Sequence, residues 1–255
     1  MFNFKSIISA AKNFLLDLIF PIECLGCDKE GEWMCEECFK KIELKAKSQY
    51  CLHCKRKNTY GEFCFEDKED YALNGVWIAA NYDNPLLSEV IKKTKYNFSY
   101  EAAPVLGKVM AAFFYELFAE NTDKDEDAQA RLSGVIDSFE KTSVIPVPLH
   151  KKRKNWRGFN QAELIAGQFA SRTYLPLITD KLVRIKYLRP QAGLKEKERV
   201  ENIKSCFIWK GENLMGKNII LIDDVVTTGS TLNECAKVLK ENGAGEVWGL
   251  VVAKG

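Results

Sequence analysis

A chain of 255 residues, 46% hydrophobic and 28% charged, has the make-up of a globular protein with room for one large domain or a medium and a small one. A formal net charge of +2 excludes a protein that holds nucleic acid through its overall charge, so any basic site must be a local patch. Seven of the nine cysteines lie between Cys24 and Cys64, mostly in CxxC pairs, which argues against a secreted disulfide framework and for metal ligation in a reducing compartment.

Residues 1–20 are expected to form an amphipathic helix. Phe4, Ile7, Ile8, Ala11, Phe14, Leu15, Leu18 and Ile19 fall on one face, and Lys5, Lys12 and Asp17 lie off it. No continuous apolar span reaches the ~20 residues of a membrane helix, and no small-residue cleavage site follows. Such a helix either packs on the body of the protein or makes peripheral membrane contact. The protein is expected to be cytoplasmic.

Residues 21–70 read as a small cysteine-rich module. Cys24-x2-Cys27 followed by Cys35-x2-Cys38 supplies four thiolates that can converge tetrahedrally on one zinc ion, with no position left for water or substrate. The role is therefore structural, and metal binding would supply most of the module's folding free energy, on the order of 10 kcal/mol. A second set opens with Cys51, Cys54 and Cys64 but is short by one thiol. Asp67 stands where the last CxxC would close, and His53 sits inside the knuckle. Either side chain can complete a zinc site, or the set is held by packing alone, and the spacing leaves open a pairing of knuckles across the two halves. Small four-cysteine ribbons also bind nucleic acid, and Lys55, Arg56 and Lys57 are the basic residues available for that here.

From 71 to 255 apolar runs alternate with helical patterns, the signature of an α/β domain. GVWIAANY reads as a strand, PLLSEVIKKTKY and YEAAPVLGKVMAAFFYELFAE as helices, and TSVIPVPL as a strand stopped by its prolines. Five acids between Glu120 and Asp127 with no apolar period mark a solvated insertion over about 120–134. GFNQAELIAGQFASRT is a helix, NIILID a strand, TTGSTLNECAKVLKENGA a helix closed by Gly243, and EVWGLVVA the final strand. GENLMGKN mimics the start of a P-loop, but Asn218 replaces the required Ser or Thr and a strand follows where a helix is needed.

The stretch IILIDDVVTTGSTL carries the chemistry. A continuous apolar run suits a strand buried on both faces, which places Asp223 and Asp224 at its C-terminal end, where open α/β sheets bind ligands. Thr227, Thr228, Gly229, Ser230 and Thr231 then open a helix whose amides, dipole and hydroxyls favour a phosphate. A ligand with a phosphate at one end and vicinal hydroxyls or hydrated Mg²⁺ at the other meets both demands; a ribose 5-phosphate is one. Upstream, Lys151, Lys152, Arg153, Lys154 and Arg157, with Trp156 among them, form a positive run with one stacking aromatic, suited to single-stranded DNA.

ILIDDVVTTGSTL closely resembles the phosphoribosyl pyrophosphate motif of type I phosphoribosyltransferases. With IPVPLHKKRKNWRGFNQAELIA, RPQAGLKEKERVENIKSCF and the cysteine knuckles in front, the chain resembles the ComF family of competence-associated proteins over nearly its whole length. The resemblance implies a phosphoribosyltransferase-like parallel sheet flanked by helices, with a double zinc ribbon at its N-terminal side. It further implies that Asp223 and Asp224 face the ribose hydroxyls and Thr227–Thr231 cradle the 5-phosphate. Pro146 and Val147 would lie in the pyrophosphate loop. HKKRKNWRG would be a mobile cover offering Arg153 and Arg157 to pyrophosphate. Mg²⁺-dependent transfer of a phosphoribosyl group, with Asp223, Asp224 and Arg157 as catalytic groups, is the activity so implied. The alternative is a DNA-handling protein that uses the site for ligand sensing, working with other DNA-uptake proteins.

Overall fold

Four apolar runs line up side by side in the computed structural model, which describes residues 22–96, 100–119, 141–187 and 205–255. They are β1 (Gly75–Asn81), β2 (Thr142–Pro146), β5 (Asn218–Val226) and β6 (Val247–Lys254), all parallel, in the order β1-β6-β5-β2. Their Val, Ile and Leu side chains, the half-buried Val225 apart, are buried on both faces, as a parallel sheet between two layers requires. Helices α3 (Pro85–Tyr96), α4 (Ala103–Ala119) and α6 (Gln161–Thr173) cover the face that carries Val144, Ile220, Ile222 and Leu250. Helix α4 lies so close to α6 that a Cβ on Gly107 would sit 2.3 Å from that of Gln168. The opposite face, with Ile145, Ile219, Leu221 and Val251, packs against α7 (Ser230–Glu241) and a short antiparallel pair, β3 (Leu182–Arg184) with β4 (Phe207–Trp209). That pair is absent from the sequence reading: three-residue strands carry too little pattern to stand out.

The cysteine-rich segment is not a free-standing unit. Its chain lies along the outer edge of β1, with Leu44 bridging to Ala80 and Glu62 to Gly75, both antiparallel. Between these bridges a side chain stands in for a strand. The buried Gln49 amide donates to the Ile78 carbonyl at 3.0 Å and accepts from the Ile78 N–H at 3.1 Å. An edge strand exposes unpaired amides and carbonyls, and here the ribbon satisfies them.

The N-terminal helix of 1–20 and the acidic insertion of 120–134 lie outside the described residues, as does most of RPQAGLKEKERVENIKSCF. Among the described residues no helix is long and apolar enough to cross a membrane.

Candidate functional site

The two cysteine sets repeat one local design. In each, the first thiol-bearing residue donates a backbone bond across its knuckle: Cys24 N–H to the Lys29 carbonyl at 2.8 Å, and Cys51 N–H to that of Arg56 at 2.9 Å. Asp28 and Lys55 take left-handed backbone angles, with φ of 58° and 66°, to turn each knuckle. The third thiol, Cys35 or Cys64, precedes a single helical turn, α1 (Glu36–Phe39) or α2 (Phe65–Lys68). That turn brings Cys38 and Asp67 to matching positions.

Within each of the two sets, one formed by Cys24, Cys27, Cys35 and Cys38 and the other by Cys51, Cys54, Cys64 and Asp67, the ligand atoms lie within 4.8 Å of one another. A tetrahedral zinc with ~2.3 Å bonds to sulfur needs such convergence. Burial opposes ionisation of Cys24, but N–H donors of Cys35 and Gly26 outweigh it and hold the thiol at about 6. Hydrogen bonds from Arg56 bring Cys54 to about 7. Each set thus offers one acidic thiol, a donor chemistry that fits a dication. The choice between Asp67 and His53 resolves by geometry. Asp67 Oδ2 lies 3.3 Å from Cys51 Sγ, and Oδ1 lies 2.7 Å from His53 Nδ1, so His53 orients the carboxylate from outside the cluster.

The acidic pair sits where the sheet divides. Pairing between β2 and β5 ends at Pro146 opposite Ile222, while β5 continues beside β6 to Val226, so a crevice opens at Asp223. Strand alternation sends the two carboxylates to opposite faces. Asp224 is buried against the helix layer, where Gln161 Nε2 donates to Oδ2 at 3.0 Å and Lys95 Nζ lies 3.1 Å from Oδ1. Asp223 faces the other way, within the fields of Arg184 and Cys235, and its Oδ1 accepts from the Asp224 N–H at 2.9 Å. Burial, with the negative Asp224 beside it, pushes Asp223 up to about 7; Lys95 and Arg184 offset only part of this.

Past Val226 the chain turns through Thr227 and Thr228 to Gly229, which caps α7 at φ 80°. Gly229 has no side chain to cap this helix, and Thr228 Oγ1 accepts from the Ser230 N–H only at a long 3.4 Å. Thr228 and Ser230 hydroxyls lie 3.0 Å apart, and Thr231 follows Ser230 in the first turn of the helix.

Upstream residues depart from expectation. HKKRKNWRG contains the two-turn helix α5 (Lys151–Arg157), with His150 accepting from the Lys152 N–H at 3.1 Å and Gly158 at φ 86° closing it. Arg157 is buried, 9% exposed, so it belongs neither to an exposed patch nor to a cover. Lys151, Lys152 and Trp156 are exposed, while Arg153 is half-buried and Lys154 pairs with Glu163 at 3.0 Å. Val147 is buried and tied on both sides, its N–H donating to the Ile222 carbonyl and its carbonyl accepting from Asn160, so it has no amide to offer a ligand.

A cavity of about 180 Å³ opens beside Pro146, bordered by Lys151, Lys154 and Arg184. Arg184 Nε is buried with no hydrogen-bond partner among the described residues. Lys95, Gln161, Asn160 and Arg184 were all missed by sequence reasoning. Only Asn160 and Gln161 carried a signal, as the asparagine and glutamine of RGFNQA.

Comparison with known proteins accords with this geometry. Residues 15–66 match the double zinc ribbon domain, and residues 160–254 match the phosphoribosyl transferase domain. Competence protein F of Haemophilus influenzae is 30% identical over 247 residues, covering 92% of this chain and 98% of that protein. The chain belongs to the ComF family. Competence protein ComFC of Bacillus subtilis is 28% identical over 88% of this chain and 91% of its own. The DNA utilization protein YhgH of Escherichia coli K12 is 33% identical over 41% of this chain and 47% of its own. The ComF match takes in both the ribbon and the α/β sheet, so the docking of one on the other lies within the aligned region.

Proposed function

We propose that the protein binds phosphoribosyl pyrophosphate with Mg²⁺ at the Asp223–Thr231 turn and transfers the phosphoribosyl group to an acceptor in the handling of incoming DNA. The observation that carries this reading is the junction where β2 leaves β5. An acidic pair and the glycine-capped N-terminus of α7 meet there within nine residues, Asp223 to Thr231. The 5-phosphate would take first-turn amides of α7 with the Thr228 and Ser230 hydroxyls, and a ribose hydroxyl would donate to Asp223. In the transfer, the bond from C1 to pyrophosphate breaks with its electron pair leaving on pyrophosphate, and the acceptor bonds to C1 through an oxocarbenium-like state. Mg²⁺ bound with the ligand would neutralise charge on the leaving group. Lys151 and Arg184, at the cavity beside Pro146, are the chain's own cations for that purpose, with Arg153 on the same helix as Lys151. Lys95 and Gln161 hold Asp224 in place. The DNA context rests on the names of the relatives, competence and DNA utilization proteins.

Calorimetric titration of the zinc-loaded protein with phosphoribosyl pyrophosphate and Mg²⁺ tests the reading. Binding in the micromolar range is expected, with loss of the signal in Asp223→Asn/Asp224→Asn. Absence of binding by the unaltered protein would remove the ligand from consideration.

A second reading, a protein that handles single-stranded DNA, is favoured by Trp156, 67% exposed beside Lys151 and Lys152. Replacing Lys151 and Lys152 by Ser and Trp156 by Ala should weaken oligonucleotide binding in fluorescence anisotropy. The salt slope should fall by about 1.4 for two lost phosphate contacts. An unchanged slope would exclude α5 as the contact surface.

A further inference from the structure

We propose that Leu52, carried inside the second cysteine knuckle, positions the Thr227–Thr231 turn, so that metal in the set of Cys51, Cys54, Cys64 and Asp67 controls the affinity of the sugar-phosphate site. This rests on the reading of that turn as the phosphate cradle. Leu52 is 2% exposed. A Cβ built on Gly229 would lie 2.6 Å from Leu52 Cδ2, so a methyl of Leu52 occupies the space directly over the residue that caps α7. Gly229 has no side chain by which to be held, and its left-handed φ of 80° makes the turn depend on what packs above it.

A second tie joins the same two regions. Asn233, buried in the first turn of α7, accepts through Oδ1 from the N–H of Ala72 at 2.8 Å and of Leu73 at 3.4 Å, just past the second metal set. Cys51, Leu52 and Phe63 also share one buried cluster with Val226, Leu232 and Cys235. The knuckle and the start of α7 therefore pack as one body.

Two metal-ligating positions flank Leu52 closely. Cys51 precedes it, and Cys54 closes the knuckle through the Lys55 N–H, which donates to the Cys51 carbonyl at 3.0 Å. The Lys55 ammonium donates to the Leu52 carbonyl itself. With metal bound, the four-ligand set fixes the knuckle, and the knuckle fixes the leucine. Without it, three thiols and a carboxylate that no longer share a cation would let the knuckle relax and the leucine leave Gly229. Leu52 is thus a positioning residue: it need touch no ligand to set where the amides and hydroxyls of the turn stand.

Hydrogen exchange at the amides of 227–231 in the ligand-free protein, run beside phosphoribosyl pyrophosphate titration and zinc determination, tests this. Leu52→Ala should speed exchange at 227–231 and weaken binding about tenfold, with both zinc ions retained. Leu52→Met, which refills the volume, should restore both. Cys64→Ser should lose one zinc and reproduce the Leu52→Ala pattern. Ile42→Ala, a buried change in the ribbon outside the Leu52 cluster, should lower thermal stability without either effect. Exchange at 227–231 unchanged in Leu52→Ala, or changed equally by Ile42→Ala, would overturn the positioning role. If the unaltered protein fails to bind phosphoribosyl pyrophosphate, the ligand reading falls, and the exchange comparison still decides whether Leu52 holds the turn.

Discussion

Chelation of zinc at neutral pH is expected to loosen the ribbon from the sheet edge and lower the melting temperature by about 10–20 °C. The figure follows if docking along β1 retains about half of the ~10 kcal/mol of metal-linked folding free energy, so that roughly 5 kcal/mol is lost, at ~2–4 °C per kcal/mol for a chain of this size. The ribbon has few apolar residues of its own. Met34, Ile42, Ala46, Leu52 and Phe63 are buried, but largely against the α/β core or the cysteine sets. Its order therefore depends on the two clusters and on docking along β1. The Ile78 N–H is a local reporter, because it donates to Gln49 Oε1. Its hydrogen exchange should accelerate on chelation, while the amides of β5 stay protected. A melting temperature that does not move after verified zinc removal would mean that packing alone holds the ribbon.

The second large effect is on pH. Asp223 rises from an ordinary carboxylate value of 3.8 to about 7 in the folded, ligand-free protein. A folded pKa above the unfolded one means that the associated stability is fully present below pH 3.8 and is lost as pH climbs to 7, at up to ~1.4 kcal/mol per unit. Above 7 the cost is constant. Asp223→Asn should therefore stabilise the free protein at pH 8 and flatten its stability profile between 4 and 7. Ligand binding runs the other way. If the ionised carboxylate accepts a ribose hydroxyl, binding releases a proton below pH 7, and affinity falls about tenfold per pH unit from 7 towards 5. Titrations at three pH values in buffers of differing ionisation enthalpy measure both the affinity and the proton. Affinity that is flat or rises on acidification would remove Asp223 as the acceptor.

Much of this could be read in the linear chain because it depends on neighbours in sequence. The apolar run of β5, the following Asp223 and Asp224, and the hydroxyl turn are contiguous, and CxxC spacing encodes ligand convergence directly. Period-two alternation even implied that adjacent carboxylates diverge, although the reading placed both on the ribose. What stayed hidden depends on contacts between distant segments. Gln161 reaches Asp224 across 63 positions and Asn233 reaches Ala72 across 161, and neither contact leaves a periodic trace. Helix α5 was missed for a different reason. Its basic residues show no apolar face, and its ends are fixed by a histidine side chain and a glycine, signals too generic to outweigh a run of charge.

The placement of β1 has a consequence for how the molecule is made. Residues Asn74 and Val247, which bond to each other where β1 meets β6, are 173 positions apart. On the ribosome, β1 must wait for almost the whole α/β region to emerge before its inner partner exists, with an apolar strand exposed for seconds at ordinary synthesis rates. The ribbon is made first, and β1 follows directly on its last ligand position, Asp67. By pairing with the outer edge at once, through Leu44, Gln49 and Glu62, it leaves a nascent strand with only one side open to misassociation. Zinc supply during translation, and not only in the finished protein, would then govern how much of the chain reaches its native state.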